Sequence, residues 1–146
     1  MHISTKCSVA IHCLIFIHEY GEKQRVTSDL LSLSTGTNPV TIRTIISCLK
    51  KDGIISVRPG TGGAALNAPL SEITLYRICK AIEPDFSSKL IGVHPQPSAL
   101  CPVGRSIYGV LDCSYQKIGN DLCESLKSIT LENIISDYDR ISQKSD

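Results

Sequence analysis

Three features of the sequence predict a mostly α-helical fold with one small β-hairpin. Apolar residues recur at helical spacing up to residue 51 and again after residue 70, a glycine-rich stretch separates two short apolar runs within 54–67, and a long amphipathic segment fills 105–126. The 146 residues suit one compact domain with an extension rather than two large domains. Fifteen basic and fourteen acidic residues leave a formal net charge of +1, so overall charge points to no partner, and only a local basic face could.

The first element is a helix from Thr5 to Tyr20, with Val9, Ala10, Cys13, Leu14 and Ile17 on one face and Gly21 at its end. His12, His18 and Glu19 interrupt its apolar run and no small-residue cleavage site follows, so the expectation is a folded helix of a cytoplasmic protein, neither signal peptide nor membrane span. Thr27 is the predicted N-cap of a short second helix, with Val26 before it as a staple and Leu30, Leu31 and Leu33 as its buried side. The run STGTN breaks that helix. A third helix opens with Asn38 as cap and Pro39 at its first position, runs through VTIRTIISCLKK to Gly53, and buries Ile42, Ile45, Ile46 and Leu49. Thr41, Arg43, Thr44 and Ser47 fall on the opposite side.

A short helix, a small turn and a second helix with hydroxyls and an arginine near its start is the pattern of a helix-turn-helix, whose second helix presents its N-terminal residues to base edges. The same face, taken alone, also suits an ordinary solvated helix. The stretch that follows decides between them. A phosphate-binding loop needs its glycines at the start of a helix, yet after Gly60, Gly62 and Gly63 the run AALNAPL meets Asn67 and Pro69. Ile54–Val57 and Ala64–Asn67 instead read as two strands joined by RPGTGG, with glycines supplying the positive φ of a tight turn. A helix-turn-helix followed by such a hairpin is a winged helix, and Arg58 with the glycine N–H groups suits phosphate contact.

Farther on, LSEITLYRICKAIEP reads as a helix capped by Ser71 and ended before Pro84, with Ile73, Leu75, Ile78 and Ile82 available for burial. A loop rich in proline and serine follows. The long helix from Arg105 to Leu126 carries Ile107, Val110, Leu111, Ile118 and Leu122 as an apolar stripe, the pattern of a helix that pairs with its copy, and TLENIISDYDRI reads as a last helix covering it. The expected organisation is a winged helix-turn-helix DNA-binding domain at 1–83, a sensor loop at 84–103 and dimerisation helices at 104–146.

The segments MHISTKCSVAIHCL, TNPVTIRTIISCLKKDGIISVRPGTGGAAL and LCPVG together resemble the Rrf-two family of bacterial winged-helix transcriptional regulators, over nearly the whole chain. The resemblance implies a homodimeric regulator, expected to act as a repressor, on a pseudopalindromic operator in double-stranded DNA. The DNA-facing set is then Lys6, Ser28, Asn38, Val40, Thr41, Arg43, Thr44, Arg58, Gly60 and Thr61, with Lys6, Arg58 and the wing on phosphates and Thr41 and Arg43 giving sequence preference. Cluster-binding members carry three cysteines in the sensor loop, whereas here Cys101 stands alone between Asp85 and Arg105 with His94 nearby, too few for an iron–sulfur centre. No cofactor and no metal site are therefore expected.

Seven cysteines, an odd number with no C-x-x-C pair, suggest neither a disulfide framework nor a zinc ribbon. Cys101 precedes Pro102, which makes it the expected N-cap of the long helix, where the helix dipole and Arg105 would favour the thiolate. It resembles the thiol sensors of the cluster-free members, which respond to oxidants or electrophiles. The family's architecture brings this loop near the first helix of the other subunit, so Cys7 and Cys13 are the first partner candidates; Cys48 and Cys79 read as core thiols, and Cys113 and Cys123 as small apolar filler that could also meet across a dimer. Three alternatives stay open: a ligand-responsive or iron–sulfur-responsive regulator of the same fold, a thiol oxidoreductase or hydrolase using Cys101 with His94, and a scaffold that no longer binds DNA.

Overall fold

The computed structural model describes residues 3–60 and 62–145. Helix α1 (Thr5–Tyr20) is capped by Ser4, whose Oγ accepts from the Lys6 N–H, and ends where the Gly21 N–H meets the Ile17 carbonyl at 2.8 Å. It buries Cys7, Ala10, Cys13, Leu14 and Ile17. Helix α2 (Ser28–Thr35) starts at Thr27, whose Oγ1 accepts from the Leu30 N–H, and ends at Gly36 with φ +66. Only Leu31 of α2 is buried; Leu30 is half-buried and Leu33 is 81% exposed, contrary to the expected three-leucine face. Eight residues make about two turns, so leucines two positions apart diverge by about 200° and cannot both face the core.

Helix α3 (Pro39–Lys51) starts as its sequence predicts, with Asn38 Oδ1 accepting from the Val40 N–H at 2.8 Å. Ile42, Ile45 and Leu49 are buried and Ile46 is half-buried. The left-handed Gly53 turns the chain into strand β1 (Ile55–Arg58), which pairs antiparallel with β2 (Gly63–Leu66) from Ile55–Leu66 to Arg58–Gly63. Both strands sit one residue from their expected bounds. The Ile54 N–H still bonds the Leu49 carbonyl of the preceding helix end, so pairing starts later on that side.

The next helix begins later than the sequence implies. Leu70–Glu72 is a separate 3-10 turn, and Thr74, not Ser71, caps α4 (Leu75–Ile82) by accepting from the Arg77 N–H. Arg77 in turn donates to Asp52 Oδ2 at 2.7 Å and to the Asp52 carbonyl at 3.1 Å, locking α4 to the end of α3. His12 Nε2 lies 2.9 Å from Ser34 Oγ and ties α1 to α2. A 3-10 turn at Phe86–Lys89 and the loop after it lead to α5 (Pro102–Ser128).

Helix α6 (Leu131–Ser142) carries a reciprocal capping box between Thr130 and Asn133. Its buried Leu131 and Ile135 join the main core of α1–α4 and the hairpin, so it does not cover the long helix as expected. The cause is the chain reversal before it: Leu75 N–H bonds the Ile129 carbonyl and Leu131 N–H the Ile73 carbonyl, stitching the end of α5 to the segment entering α4. A second, smaller core of Cys7, Cys79, Phe86, Leu90 and Leu126 sits where α1, α4, the loop at 84–103 and α5 meet. No helix among the described residues is long and apolar enough to cross a membrane.

Candidate nucleic-acid interface

The exposed side of α3 is built by its own start. Pro39 fixes the first turn and Asn38 closes it, which leaves Val40 65% exposed, Arg43, Thr44 and Ser47 exposed, and Thr41 half-buried. Thr44 Oγ1 donates to the Val40 carbonyl at 3.1 Å, so its proton is used within the helix and its oxygen is left to accept. Asn38 spends its side-chain oxygen on the cap. Arg43 is the one cation on the middle of this face, with no carboxylate pairing it among the described residues, and Lys50 and Lys51 follow at its end.

The wing stands beside this face. Arg58 ends β1 and is exposed, and Gly60 has φ +78 with open space around its missing Cβ. Thr61, also expected at the interface, lies outside the described residues. Gly63 holds the wing's base: with φ +65 it brings its backbone so close to the Arg25–Val26 segment that a Cβ would come 2.8 Å from the Val26 N and O atoms. The Ala64 N–H then bonds the Val26 carbonyl at 3.0 Å.

That contact gathers a cleft of about 170 Å³ between the wing and the start of α2, lined by Arg25, Thr27, Ser28 and Arg58 among others. Ser28 is half-buried at its edge. Arg25 is exposed and was not among the sequence-predicted residues; its place directly before the Val26–Thr27 helix start is the signal that could have found it. Two guanidinium groups and two hydroxyl side chains beside a helix N-terminus suit phosphate oxygens. Lys6 is exposed at the start of α1, on another element.

The thiols divide into three environments. Cys101 is the N-cap residue of α5, exposed, with Pro102 after it and no side-chain capping bond. Cys7 and Cys13 are 2% and 0% exposed, in different cores, and a disulfide from Cys101 to either needs that side chain to leave its core. Burial pushes the Cys13 thiol up to about 12. A hydrogen bond to Cys79, together with burial, holds the Cys7 thiol well above its ordinary range, while Cys79, receiving that bond, is lowered.

Comparison with known proteins decides the family. The chain matches the model of the Rrf2 family, described as iron-dependent transcriptional regulators, over residues 3–137. The chain belongs to the Rrf2 family. This is the Rrf-two family that the sequence resembles, and the protein is a DNA-binding transcriptional regulator of helix-turn-helix type, not an enzyme. It is 31% identical over 134 residues to YwnA of Bacillus subtilis, named as an HTH-type transcriptional regulator, with 92% of this chain and 97% of that one covered. A solved structure described as a DNA-binding protein is 29% identical with a TM-score of 0.70, covering 89% of this chain and 98% of that one. CymR, the global cysteine regulator of B. subtilis, shares the fold at 19% identity with a TM-score of 0.68, covering 93% of this chain and 97% of the other.

The Rrf2 description names iron, and the donors present do not fit an iron–sulfur centre. Cys101 is the sole cysteine between the 3-10 turn and α5, and the His94 ring lies against Tyr108 with centroids 6.2 Å apart. Among the described residues no three His, Cys, Asp or Glu side chains are grouped to hold a metal ion, whereas a cluster takes four ligands, mostly thiolate.

Proposed function

We propose that this Rrf2 regulator acts as a homodimeric repressor on a pseudopalindromic operator, placing α3 in the major groove and the wing on the flanking backbone. The observation that carries the reading is the unpaired Arg43 on the exposed face of α3, beside a wing whose Arg58 shares a cleft with Arg25 and Ser28. Arg43 with Val40, Thr41 and Thr44 reads base edges; Lys6, Ser28, Asn38, Arg25, Arg58 and the wing tip at Gly60 and Thr61 grip phosphates. Two copies bring two such surfaces to half-sites about one helical turn apart.

The homodimer reading is supported by α5. Leu126 is its only buried residue among 27, while Val103, Val110 and Ile118 are exposed and Ile107, Leu111 and Leu122 are only half-covered. A second copy would cover that stripe. The sensor loop, 84–103, would then lie between the winged domain and the paired helices, where oxidation of the exposed Cys101 by a small oxidant or electrophile gives the signal.

The test is a gel shift on the DNA upstream of the gene, with reduced and mildly oxidised protein, repeated with Cys101→Ser. Binding lost on oxidation in the wild type and kept in Cys101→Ser supports both parts of the reading. Binding indifferent to oxidation removes the Cys101 switch and leaves the regulator; absence of any shift on that DNA removes its assignment as operator.

A further inference from the structure

Three of the seven cysteines converge on the second core. Cys7 comes from α1 and Cys79 from α4, both buried, and the half-buried Cys123 of α5 packs against that core together with Tyr76, Ile91 and Leu122. Within this group Cys7 and Cys79 are two of the five buried residues packed together, on helices α1 and α4 that contact one another, and each thiol shifts the ionisation of the other. Two free thiols buried in one small core between packed helices are the starting arrangement for a disulfide joining those helices.

A path for a small reagent reaches the same place. A groove of about 600 Å³ runs between the sensor loop and α5, and Leu90, Ile91 and Cys123 line it while also packing in or against the second core.

We propose that Cys7 and Cys79 are a dithiol–disulfide pair oxidised by hydrogen peroxide, with Cys79 as the attacking sulfur and Cys7 as the resolving one. The roles follow from their surroundings. Cys79 receives the hydrogen bond, which favours its thiolate, and Cys7 gives it, which keeps its proton until the second step. In the first step the Cys79 sulfur attacks one peroxide oxygen, the O–O bond breaks, and the departing hydroxide takes up the proton released from Cys79, giving a sulfenic acid and one water. In the second, the Cys7 sulfur attacks the Cys79 sulfur, the S–O bond breaks, and the leaving hydroxide carries off the Cys7 proton as a second water. Two thiols and one peroxide become one disulfide and two waters.

The disulfide draws the two sulfurs to about 2.05 Å and clamps α1 to α4. This pair is distinct from Cys101, which is exposed on another element, and it closes within one chain rather than between two.

The experiment uses the full chain carrying Cys101→Ser, so that the exposed loop thiol does not compete, alongside the wild type. After hydrogen peroxide, free thiols are blocked under denaturing conditions and the digest is read by mass spectrometry. The expected result in both proteins is a Cys7–Cys79 linked peptide that disappears with dithiothreitol and no new intersubunit band from this pair on a non-reducing gel, and in the chain carrying Cys101→Ser two fewer alkylated cysteines than without peroxide. Cys7→Ala is expected to stop at a Cys79 sulfenic acid that dimedone traps. Recovery of Cys7 and Cys79 fully alkylated while other cysteines are oxidised overturns the proposal, as does Cys7 linked to any other cysteine. Should Cys7→Ala not fold, the linked-peptide map of the other two proteins decides alone. The readout needs no DNA, so failure here and failure of the operator reading remain separate results.

Discussion

Gly63→Ala tests whether the wing is held by its contact with the Val26 backbone. At φ +65 an alanine costs about 1–2 kcal/mol over glycine, because its Cβ crowds the following carbonyl. The added Cβ would also lie 2.8 Å from the Val26 N and O atoms, closer than side chains approach backbone, so the hairpin must shift. Shifting it weakens the 3.0 Å bond from the Ala64 N–H to the Val26 carbonyl, about 0.5–1.5 kcal/mol. The expected loss is about 1.5–3.5 kcal/mol, which for a chain of this size lowers the melting midpoint by roughly 5–10 °C. Gly60→Ala is the control. Its φ is +78 and nothing lies within 4 Å of the added carbon, so it incurs only the backbone term. Both variants and the wild type would be melted by circular dichroism at one protein concentration, since the midpoint of an associating protein depends on concentration. Equal losses at the two glycines would refute the anchoring argument, whatever their common size.

Arg43→Ala is expected to lower operator affinity about 5- to 150-fold per half-site while barely changing binding to random DNA, measured by fluorescence anisotropy with competitor; equal loss on both would assign Arg43 to phosphate. Arg25→Ala and Arg58→Ala should each reduce the slope of log affinity against log salt by about 0.9 per half-site, about 1.8 for a dimer, with little change in sequence preference. An unchanged slope for Arg25→Ala would take it off the interface. Stability should fall as pH rises from about 9.0 to about 12, because Cys13 stays protonated in the folded chain after its unfolded counterpart ionises. Denaturant melts across that window should show a shallower fall in Cys13→Ala, by at most about 1.4 kcal/mol per pH unit.

What the sequence made legible is what local chemistry decides. Asn38 followed by Pro39 and a run of helical periodicity marks a helix start, and from that start the faces of α3 follow, so Arg43, Thr44 and Ser47 could be placed outward and Ile42, Ile45 and Leu49 inward. The hairpin was legible for the same reason: RPGTGG supplies the left-handed residues at Gly60 and Gly63. Leu33 and Ser71 were misread because an eight-residue helix has too little periodicity to choose its buried side, and because Ser71 and Thr74 are equally good cap residues. Only the 3-10 turn and the pairing of Thr74 with Thr130 select the latter. Tertiary destinations were not legible. The apolar spacing of Leu131 and Ile135 shows that α6 buries a face, not that the face belongs to the core of α1. Arg25 reaches the wing cleft only through the Gly63 contact, and Cys7 finds Cys79 only because α1 crosses α4.

The same distinction bears on α5, where the single chain leaves an energetic question that a second copy would answer. Gly109 and Gly119 lie in the interior of the helix with nothing within 4 Å of a would-be Cβ, so no contact inside the chain accounts for either. Each costs about 1 kcal/mol relative to alanine in a helix interior. Residues 102–120 include no fully buried side chain, so packing within one chain gives this stretch little support. If the apolar stripe of Ile107, Val110, Leu111 and Ile118 pairs with its copy, helix and dimer form together. Dilution should then convert dimer to monomer and, in the same concentration range, raise amide hydrogen exchange across 102–120 while the amides of α1 and α3 keep their protection. Exchange in α5 that stays slow in a verified monomer would show the helix to be stable alone, and the exposed stripe would then need some other explanation.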